Sequence, residues 1–308
     1  MELIRGLHNL KNQTGCALTI GNFDGVHIGH QEIIKKLVST AKNLNVPSLV
    51  VSFSVTPESF FGRPKARLSS FRDKHLYLKS LGVDKHLLIR FNGEFSQISA
   101  QSFIEDVLVK KIKVKYCYVG DDFRFGKDRL GDCDMLQEHS IGHGFTVERV
   151  ASVSIDNKRV SSSAIRKLLS LGDFQTAEKL LGRPFAISGR VAHGDKQGRT
   201  IGFPTANISI RRNLSPVLGV FSVLIKINNI NYKGVCNVGK RPTLGGLKVL
   251  LEVFIFDFNQ EIYGGYVTVF FKQKCREEIK FNSLEELKNQ IKEDVKDSKQ
   301  YFKDARIN

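Results

Sequence analysis

The hydrophobic pattern of this 308-residue chain changes near the middle, and this change constrains the fold more than any other feature. In the first half, residues 17–20 form a short apolar run, and apolar residues then recur on one helix face from Ile33 to Leu44. Residues 49–53 form the next apolar run, which gives the strand–helix–strand order of a parallel sheet. We expect a doubly wound α/β domain, with its site at the carboxyl ends of the strands. The other strands expected in this half are residues 86–90 and 116–120, with helices at residues 72–81 and 100–110.

In the second half, short strands follow one another without a helical period between them. Such a series is typical of an antiparallel β-barrel or sandwich. Ser283 and Glu286 then form a capping-box pattern, which predicts a closing helix over residues 283–303. The strands expected in this half are residues 185–191, 218–227, 232–238, 249–257 and 266–273.

A helical segment connects the two patterns. Residues 163–181 keep a helical period with a break at Gly172, and Pro184 follows the end of the segment. We assign this connector to the first domain. The expected domains are therefore residues 1–183 and 184–308.

The composition is that of a globular protein, with 41% hydrophobic and 25% charged residues. No apolar run reaches the roughly 18 residues that a membrane helix needs. A secretory signal is also absent, so we expect a cytoplasmic protein with no membrane partner. The five cysteines are scattered without a C-x-x-C pair, a pattern that disfavours both a zinc site and a disulfide framework.

The net charge of +16 makes polyanions possible partners. A basic protein that binds RNA or a membrane surface is therefore an alternative class. Against it, no basic run carries interleaved aromatic residues or a recognition-helix pattern, which disfavours nucleic acid. Weak self-association is left open.

A glycine- and histidine-rich segment follows the first strand, at residues 21–30. His27 and His30 lie three residues apart where the helix begins, so both imidazoles come close to its positive end. Free N–H groups at such a terminus bind phosphate, and two histidines can donate hydrogen bonds to charge that grows on a transferred phosphoryl group. A plain β-to-α turn is the alternative. The ATP-binding residues expected here are Gly21, Asn22, Phe23, Asp24, Gly25, His27 and His30, the two histidines being catalytic.

A second glycine-rich segment, residues 189–207, opens the strand-rich half. Thr205 and Asn207 place a hydroxyl and an amide oxygen on one side of an extended chain. Oxygen ligands of this kind suit Mg²⁺ bound together with a substrate phosphate. A glycine-rich hairpin with a Pro-Thr turn is the alternative. The residues expected to bind ATP here are Gly194, Lys196, Gly198, Gly202, Thr205 and Asn207, the last two as metal ligands.

Glu252 lies within an apolar strand, residues 249–256. Strand alternation puts its side chain on the opposite face from Leu251 and Val253. From the strand alone, an outward carboxylate without a function is the preferred interpretation.

In this order, the motifs resemble those of the bacterial bifunctional riboflavin kinase/FAD synthetases, and the resemblance covers nearly the whole chain. It implies a Rossmann-like nucleotidyltransferase domain that converts FMN and ATP to FAD and pyrophosphate. It implies a C-terminal antiparallel β-barrel, with a terminal helix, that converts riboflavin and ATP to FMN and ADP. Both steps would use Mg²⁺, and the partners would be these small-molecule substrates.

The first motif alone does not select the acceptor, because cytidylyltransferases and pantetheine-phosphate adenylyltransferases have similar strings. A nucleotidyltransferase for another acceptor, with a vestigial kinase domain, is therefore the alternative enzyme.

The resemblance extends to further residues. It makes Glu252 the catalytic base for the ribityl 5′-hydroxyl, because the family's proposed base lies in this strand. Residues 159–166 resemble the family's S-S-T-x-x-R element, and residues 120–126 match another element near the nucleotide. These elements add Asp122, Arg159, Ser162, Ser163 and Arg166 to the ATP-binding residues of the adenylyltransferase.

Flavin-binding residues are also implied. Relatives usually carry F-E-P-x-P after the second strand, whereas residues 53–57 here read Phe-Ser-Val-Thr-Pro. Phe60 and Phe61 follow as stacking partners for the flavin ring, with ordinary core packing as the alternative. The family's N-x-G-x-R-P-T loop adds Asn237 and Arg241, and a C-terminal pattern adds Arg276.

Overall fold

The computed structural model describes residues 1–11, 13–193, 202–210, 212–243 and 246–306, with backbone only at 242, 243, 246 and 247. The chain forms two compact units. The first unit consists of Met1–Lys65 and Phe71–Ser162, and the second of Ala66–Ser70 and Ser163–Asn308.

The first unit contains a six-stranded sheet in the order β1-β4-β3-β2-β5-β6, in which every pair of neighbours is parallel. The central strand β2 is buried along its whole length, as expected for a strand covered on both faces. Leu18 belongs to the core on one face of the sheet and Ala17 to the core on the other. The doubly wound fold expected from the sequence is thus confirmed. The strands are β1 (Glu2–Arg5), β2 (Cys16–Ile20), β3 (Ser48–Val55), β4 (Lys85–Arg90), β5 (Val114–Gly120) and β6 (Thr146–Val150).

The helices of this unit follow the apolar periods of the sequence, with one difference. Where an α-helix was expected over residues 100–110, one short α-helical turn continues as a π-helix, Phe103–Ile112, which ends at Lys113 in the left-handed region. The helices are α1 (Ile28–Asn43), α2 (Pro57–Phe60), α3 (Phe71–Ser80), α4 (Gly93–Ser96), α5 (Ala100–Ser102) and α6 (Cys133–His143), with 3₁₀ turns at Leu7–Asn9 and Lys127–Arg129 and a hairpin of β7 (Ser154–Ile155) and β8 (Lys158–Arg159).

The strand order reverses at β2, with β3 on one side and β5 on the other. In a doubly wound sheet such a reversal opens a crevice at the carboxyl ends of the two strands, where ligands bind. The segments that leave β2 and β5, residues 21–27 and 121–126, therefore lie at this crevice.

The second unit is built on a closed antiparallel barrel in the order β10-β13-β12-β11-β14-β9. Leu251 and Val253 fill its interior and are almost fully buried. Of the two architectures left open by the sequence, the barrel is correct. The strands are β9 (Ala186–Ala192), β10 (Thr205–Ser209), β11 (Gly219–Ile227), β12 (Ile230–Thr243), β13 (Gly246–Ile255) and β14 (Tyr266–Arg276).

Three helices accompany the barrel strands: α7 (Ser162–Leu171), α8 (Phe174–Leu181) and the terminal α9 (Leu284–Asp304). The connector breaks at Gly172, as expected, and Ser283 caps α9 through the amide of Glu286. Among the described residues, no helix is long and apolar enough to cross a membrane.

The connector groups with the second unit, whereas the sequence analysis assigned it to the first. The cause is its apolar face: the ring of Phe174 packs on those of Phe221 and Phe271 in the barrel, with centroids 5.8 and 5.9 Å away. The expected boundary at residue 183 is therefore not where the compact units divide.

Candidate active sites

The first candidate site lies in the loop between β2 and α1. Phe23 and Val26 are buried and adopt positive φ angles of 47° and 39°, a conformation that such residues rarely take. Gly25 between them has φ 80°. Strain of this kind is concentrated at functional sites. The loop bends tightly and brings His27 to the N-cap of α1.

His27 and His30 stack against each other, with ring centroids 3.6 Å apart and an angle of 17° between the planes. Nδ1 of His27 accepts a hydrogen bond from the backbone amide of His30 at 3.4 Å. Neutral His27 must therefore carry its proton on Nε2, which leaves that atom as a donor. The helix terminus and the pair of imidazoles fit an anionic ligand.

The second imidazole is held in its neutral form. Burial, with the neighbouring charges of His27 and Lys74, lowers the pKa of His30 well below its ordinary value. Its Nδ1 atom is buried without a hydrogen-bond partner among the residues that the structure describes. A buried polar atom of this kind is accounted for by a ligand.

Other residues from the sequence prediction reach this loop or its surroundings. Oγ of Ser162 donates to the carbonyl of Asp24 at 2.9 Å, which ties the start of α7 to the loop. Arg159 pairs with Asp121 and Asp122 at 3.2 and 3.1 Å, beyond the end of β5. The conformation thus gathers segments that lie far apart in sequence at one edge of the sheet.

Two predicted residues belong to the second unit. Ser163 and Arg166 lie on α7, and Nε of Arg166 donates to the carbonyl of Ala66 at 2.6 Å, within that unit. Their roles at the nucleotide stay predictions.

Sequence reasoning missed a buried cation behind the loop. Nζ of Lys74 donates to the carbonyl of Asn22 at 3.0 Å and to Oγ of Ser52 at 3.3 Å. The same hydroxyl lies 2.7 Å from Nε2 of His86. Burial, with the charges of Lys74 and His75, lowers the pKa of His86 to about 3. No contiguous motif contains these residues, so only the folded sheet shows that they form one chain of polar contacts.

An aromatic group lies beyond the carboxyl ends of β3 and β4. Phe60 and Phe61 are 40% and 61% exposed, and this exposure argues against the core-packing alternative. The ring of Phe91 packs against both, with centroids 5.5 and 6.0 Å away. The sequence analysis did not single out Phe91. Contact of these rings with flavin stays a prediction.

The segment that departs from the family pattern has local structural roles. Oγ of Ser54 donates to the carbonyl of Ile89 at 3.4 Å, and Thr56 caps α2 through the amide of Ser59 at 3.3 Å.

The second candidate site is a row of polar residues across three barrel strands. Asn207 of β10 pairs with Glu252 of β13, and Glu252 pairs on its other side with Asn237 of β12. Directly opposite residues in a sheet point to the same face, with Cβ atoms about 4.5–5.5 Å apart. Thr205 shares this face because it lies two residues from Asn207.

The row faces away from the barrel interior. Ile208, Leu251 and Val238 form the adjacent register row and are all buried. Alternation along each strand therefore turns Asn207, Glu252 and Asn237 outward, where all three are partly buried. The orientation of Glu252 relative to Leu251 is as the sequence pattern predicted.

The glycine-rich loop before this row is described only in part. Gly194, Lys196 and Gly198 lie outside the described residues. Gly202 has φ 90°, a conformation that favours glycine. Thr205 and Asn207 begin β10 directly after it.

The remaining flavin predictions fall on β12 and β14. Arg241 is exposed near the end of β12. Arg276 instead forms a two-pronged ion pair, in which Nε and an Nη atom donate to the carboxylate of Asp294 at 2.8 and 2.7 Å. Its flavin contact stays a prediction beside this structural role. Glu278, which the sequence analysis missed, brings its carboxylate against Gly239 and close to Asn237.

These arrangements define two classes of site. A parallel sheet with a histidine-bearing anion loop at its switch point is a nucleotidyltransferase-like fold. A barrel that presents a carboxylate between oxygen-bearing side chains suits the deprotonation of a hydroxyl.

Comparison with protein families agrees with this division. The sequence profile of the FAD synthetase family matches residues 9–164, and that of the riboflavin kinase family matches residues 181–302. A bifunctional riboflavin kinase/FMN adenylyltransferase from Haemophilus influenzae is 48% identical, over 98% of this chain and 99% of its own. The protein of the same name from Escherichia coli K12 is 45% identical, over 98% of each chain.

The chain therefore belongs to the family of bifunctional riboflavin kinase/FMN adenylyltransferases. It is an enzyme with both activities, and riboflavin, FMN, FAD and ATP are its substrates and products.

A solved structure shares the fold. The crystal structure of a macrolide-efflux protein from Streptococcus pneumoniae has a TM-score of 0.78 and 31% identity, over 96% of this chain and 97% of its own. The efflux name belongs to that protein. The likeness supports the fold over nearly the whole chain.

Proposed function

We propose that the two reactions take place at the two candidate sites, adenylylation of FMN in the first unit and phosphorylation of riboflavin in the second. The observation that carries this assignment is the barrel register, in which Glu252 lies between Asn207 and Asn237. It supports a base beside oxygen-bearing side chains in a unit of its own. The cytoplasmic location, the weak self-association and the absence of a nucleic-acid partner stay predictions from the sequence.

At the second site, Glu252 accepts the proton of the ribityl 5′-hydroxyl as that oxygen attacks the γ-phosphorus of ATP, and ADP leaves. A strand otherwise filled with apolar side chains fixes the carboxylate on the outward face. Asn237 and Asn207 flank it and orient the two substrates.

Thr205 and Asn207 fit a magnesium ion. Both offer hard oxygen atoms, and they lie on the same face as Glu252, as Mg²⁺ sites with few protein ligands and a substrate phosphate require. Mg²⁺, when bound, neutralises charge on the phosphates of ATP. The two side chains hold the nucleotide in line with the hydroxyl.

At the first site, a phosphate oxygen of FMN attacks the α-phosphorus of ATP, and pyrophosphate leaves. Nε2–H of His27 donates to the charge that develops on the phosphates, and its Nδ1 stays fixed by the amide of His30. His30, neutral because of its burial, adds a second hydrogen bond without requiring a second charge in the stack. No residue forms a covalent intermediate in this scheme.

Incubation of the full-length protein with riboflavin, ATP and Mg²⁺, followed by chromatographic separation of the flavins, tests the assignment. FMN should form first and FAD second, and a chelator should stop FMN formation. Riboflavin that stays unconverted would contradict the proposal. FMN formation that continues in the chelator would contradict the role of Mg²⁺ alone.

A further inference from the structure

Two histidines of the first unit lie outside both candidate sites. His139 and His143 are four residues apart on α6, so their side chains project from one face of the helix, a turn apart. Their rings are nearly parallel, with 10° between the planes and centroids 6.4 Å apart. Histidines at this spacing can bind one metal ion together.

The π-helix supplies a third group. Glu105 lies on Phe103–Ile112, and one ligand atom from each of Glu105, His139 and His143 lies within 4.8 Å of the others. Glu105 is also oriented, because Nε2 of Gln101 donates to its carboxylate at 2.8 Å. A hydrogen bond of this kind is typical of the residues that support a metal ligand. π-Helical segments are rare and often occur at functional positions.

The donor set selects the ion. Two imidazole nitrogens and one carboxylate oxygen suit zinc and similar transition metals, whereas Mg²⁺ prefers oxygen ligands alone. Glu105 and His139 are partly buried and His143 is exposed, so a further position is accessible to water. We propose that Glu105, His139 and His143 form a binding site for a zinc-class divalent cation.

This site is separate from the adenylyltransferase site. Both histidines lie in the second half of α6, whereas the N-cap residue Asp132 follows the loop that leaves β5. The bound ion joins α6 to the π-helix and stabilises the first unit. A ligand that binds only the folded state raises the unfolding temperature as its concentration exceeds the dissociation constant.

Isothermal titration of the chelator-treated, untagged full-length protein with zinc chloride tests the proposal. One equivalent should bind, and both His139→Ala and His143→Ala should weaken binding at least about tenfold, the low end of losses seen when even a supporting residue is removed. Glu105→Gln should weaken it in the same direction. His8→Ala, which removes an exposed histidine elsewhere in the unit, should bind zinc like the wild type.

Two further measurements make the result decisive. Zinc should raise the unfolding temperature of the wild type and of His8→Ala but not of His143→Ala, and magnesium should leave this difference unchanged. Cobalt should give a visible absorption band that the His143→Ala variant lacks. His143 is exposed, so this variant keeps the test open if His139→Ala fails to fold. Zinc binding that is absent from the wild type, or unchanged in both histidine variants, would overturn the proposal.

Discussion

In the first unit the candidate site lies in loops at the carboxyl edge of a parallel sheet, whereas in the second it lies on the outer face of a barrel, in the middle of strands. The loop between β2 and α1 brings most of its groups from one contiguous segment, with His27 and His30 three residues apart. The barrel row takes Asn207, Asn237 and Glu252 from three separate strands.

The difference teaches how each site depends on the fold. A loop motif keeps its local geometry as long as the strand and helix at its ends are formed. A row across strands depends on register, because a slip by one residue turns a side chain to the other face. Glu252 would then point into the barrel, where Leu251 and Val253 are packed.

The largest expected effect is on the barrel. Glu252→Gln removes the base and should lower riboflavin phosphorylation by roughly 10²–10⁴-fold, the range for general base catalysis. Adenylylation of supplied FMN should stay unchanged, because the first unit contains its own site. Separate assays of the two reactions check this, with the exposed Glu261→Gln as the matched control. A loss of both reactions would contradict separate sites.

The reciprocal change affects the loop. His27→Ala removes one preorganised donor and the N-cap acceptor of α1, and should lower FMN adenylylation on the order of 10²–10³-fold. Riboflavin phosphorylation should be unaffected. The same two assays measure it, and His8→Ala serves as the control. Adenylylation at the wild-type rate would remove the histidine pair from the mechanism.

A smaller effect separates structure from flavin binding in the barrel. Arg276→Met leaves the carboxylate of Asp294, which is 7% exposed, without its ion pair. Because the arginine is itself partly exposed, we expect a loss of roughly 2–3 kcal/mol in the free energy of unfolding of the second unit. Denaturant unfolding measures this loss.

Arg241→Met is the comparison variant. It should raise KM for riboflavin without a comparable loss of stability, since Arg241 is exposed. If Arg276→Met raises KM for riboflavin at unchanged stability, its ion pair with Asp294 is not its main role.

The smallest effect concerns pH and the first unit. The pKa of His86 falls from 6.5 to about 3 in the folded state, so between these values the unfolded chain binds the additional proton. This stability is complete above pH 6.5 and declines as the pH falls towards 3. At pH 5 the loss from His86 is roughly 2 kcal/mol, from 1.36 kcal/mol for each pH unit.

Calorimetric unfolding at pH 7 and pH 5 checks this expectation. His86→Gln should lose less stability than the wild type between the two values. An equal loss in both proteins would show that His86 does not contribute to the acid sensitivity.

The sequence was most informative where the chemistry is contiguous. Strand, loop and helix around His27 follow from apolar runs and glycines that lie next to one another, and the alternation of β13 predicted which way Glu252 points. Strand β10 was harder to delimit, because it is short and follows a segment rich in glycine and proline.

What the sequence could not give depends on contacts between distant segments. Lys74 reaches Asn22 and Ser52 only because α3 packs beside the sheet. Phe91 joins the exposed phenylalanines because parallel strands end at one edge. Register decides that Asn237 lies opposite Glu252, and no local pattern encodes that pairing.

The most direct measurement of two independent sites is complementation. Glu252→Gln, His27→Ala and an equal mixture of the two variants are each incubated with riboflavin, ATP and Mg²⁺, and the flavins are separated by chromatography. Glu252→Gln should leave riboflavin unconverted, His27→Ala should stop at FMN, and the mixture should produce FAD. A mixture that forms no FAD, or a single variant that loses both reactions, would contradict the account.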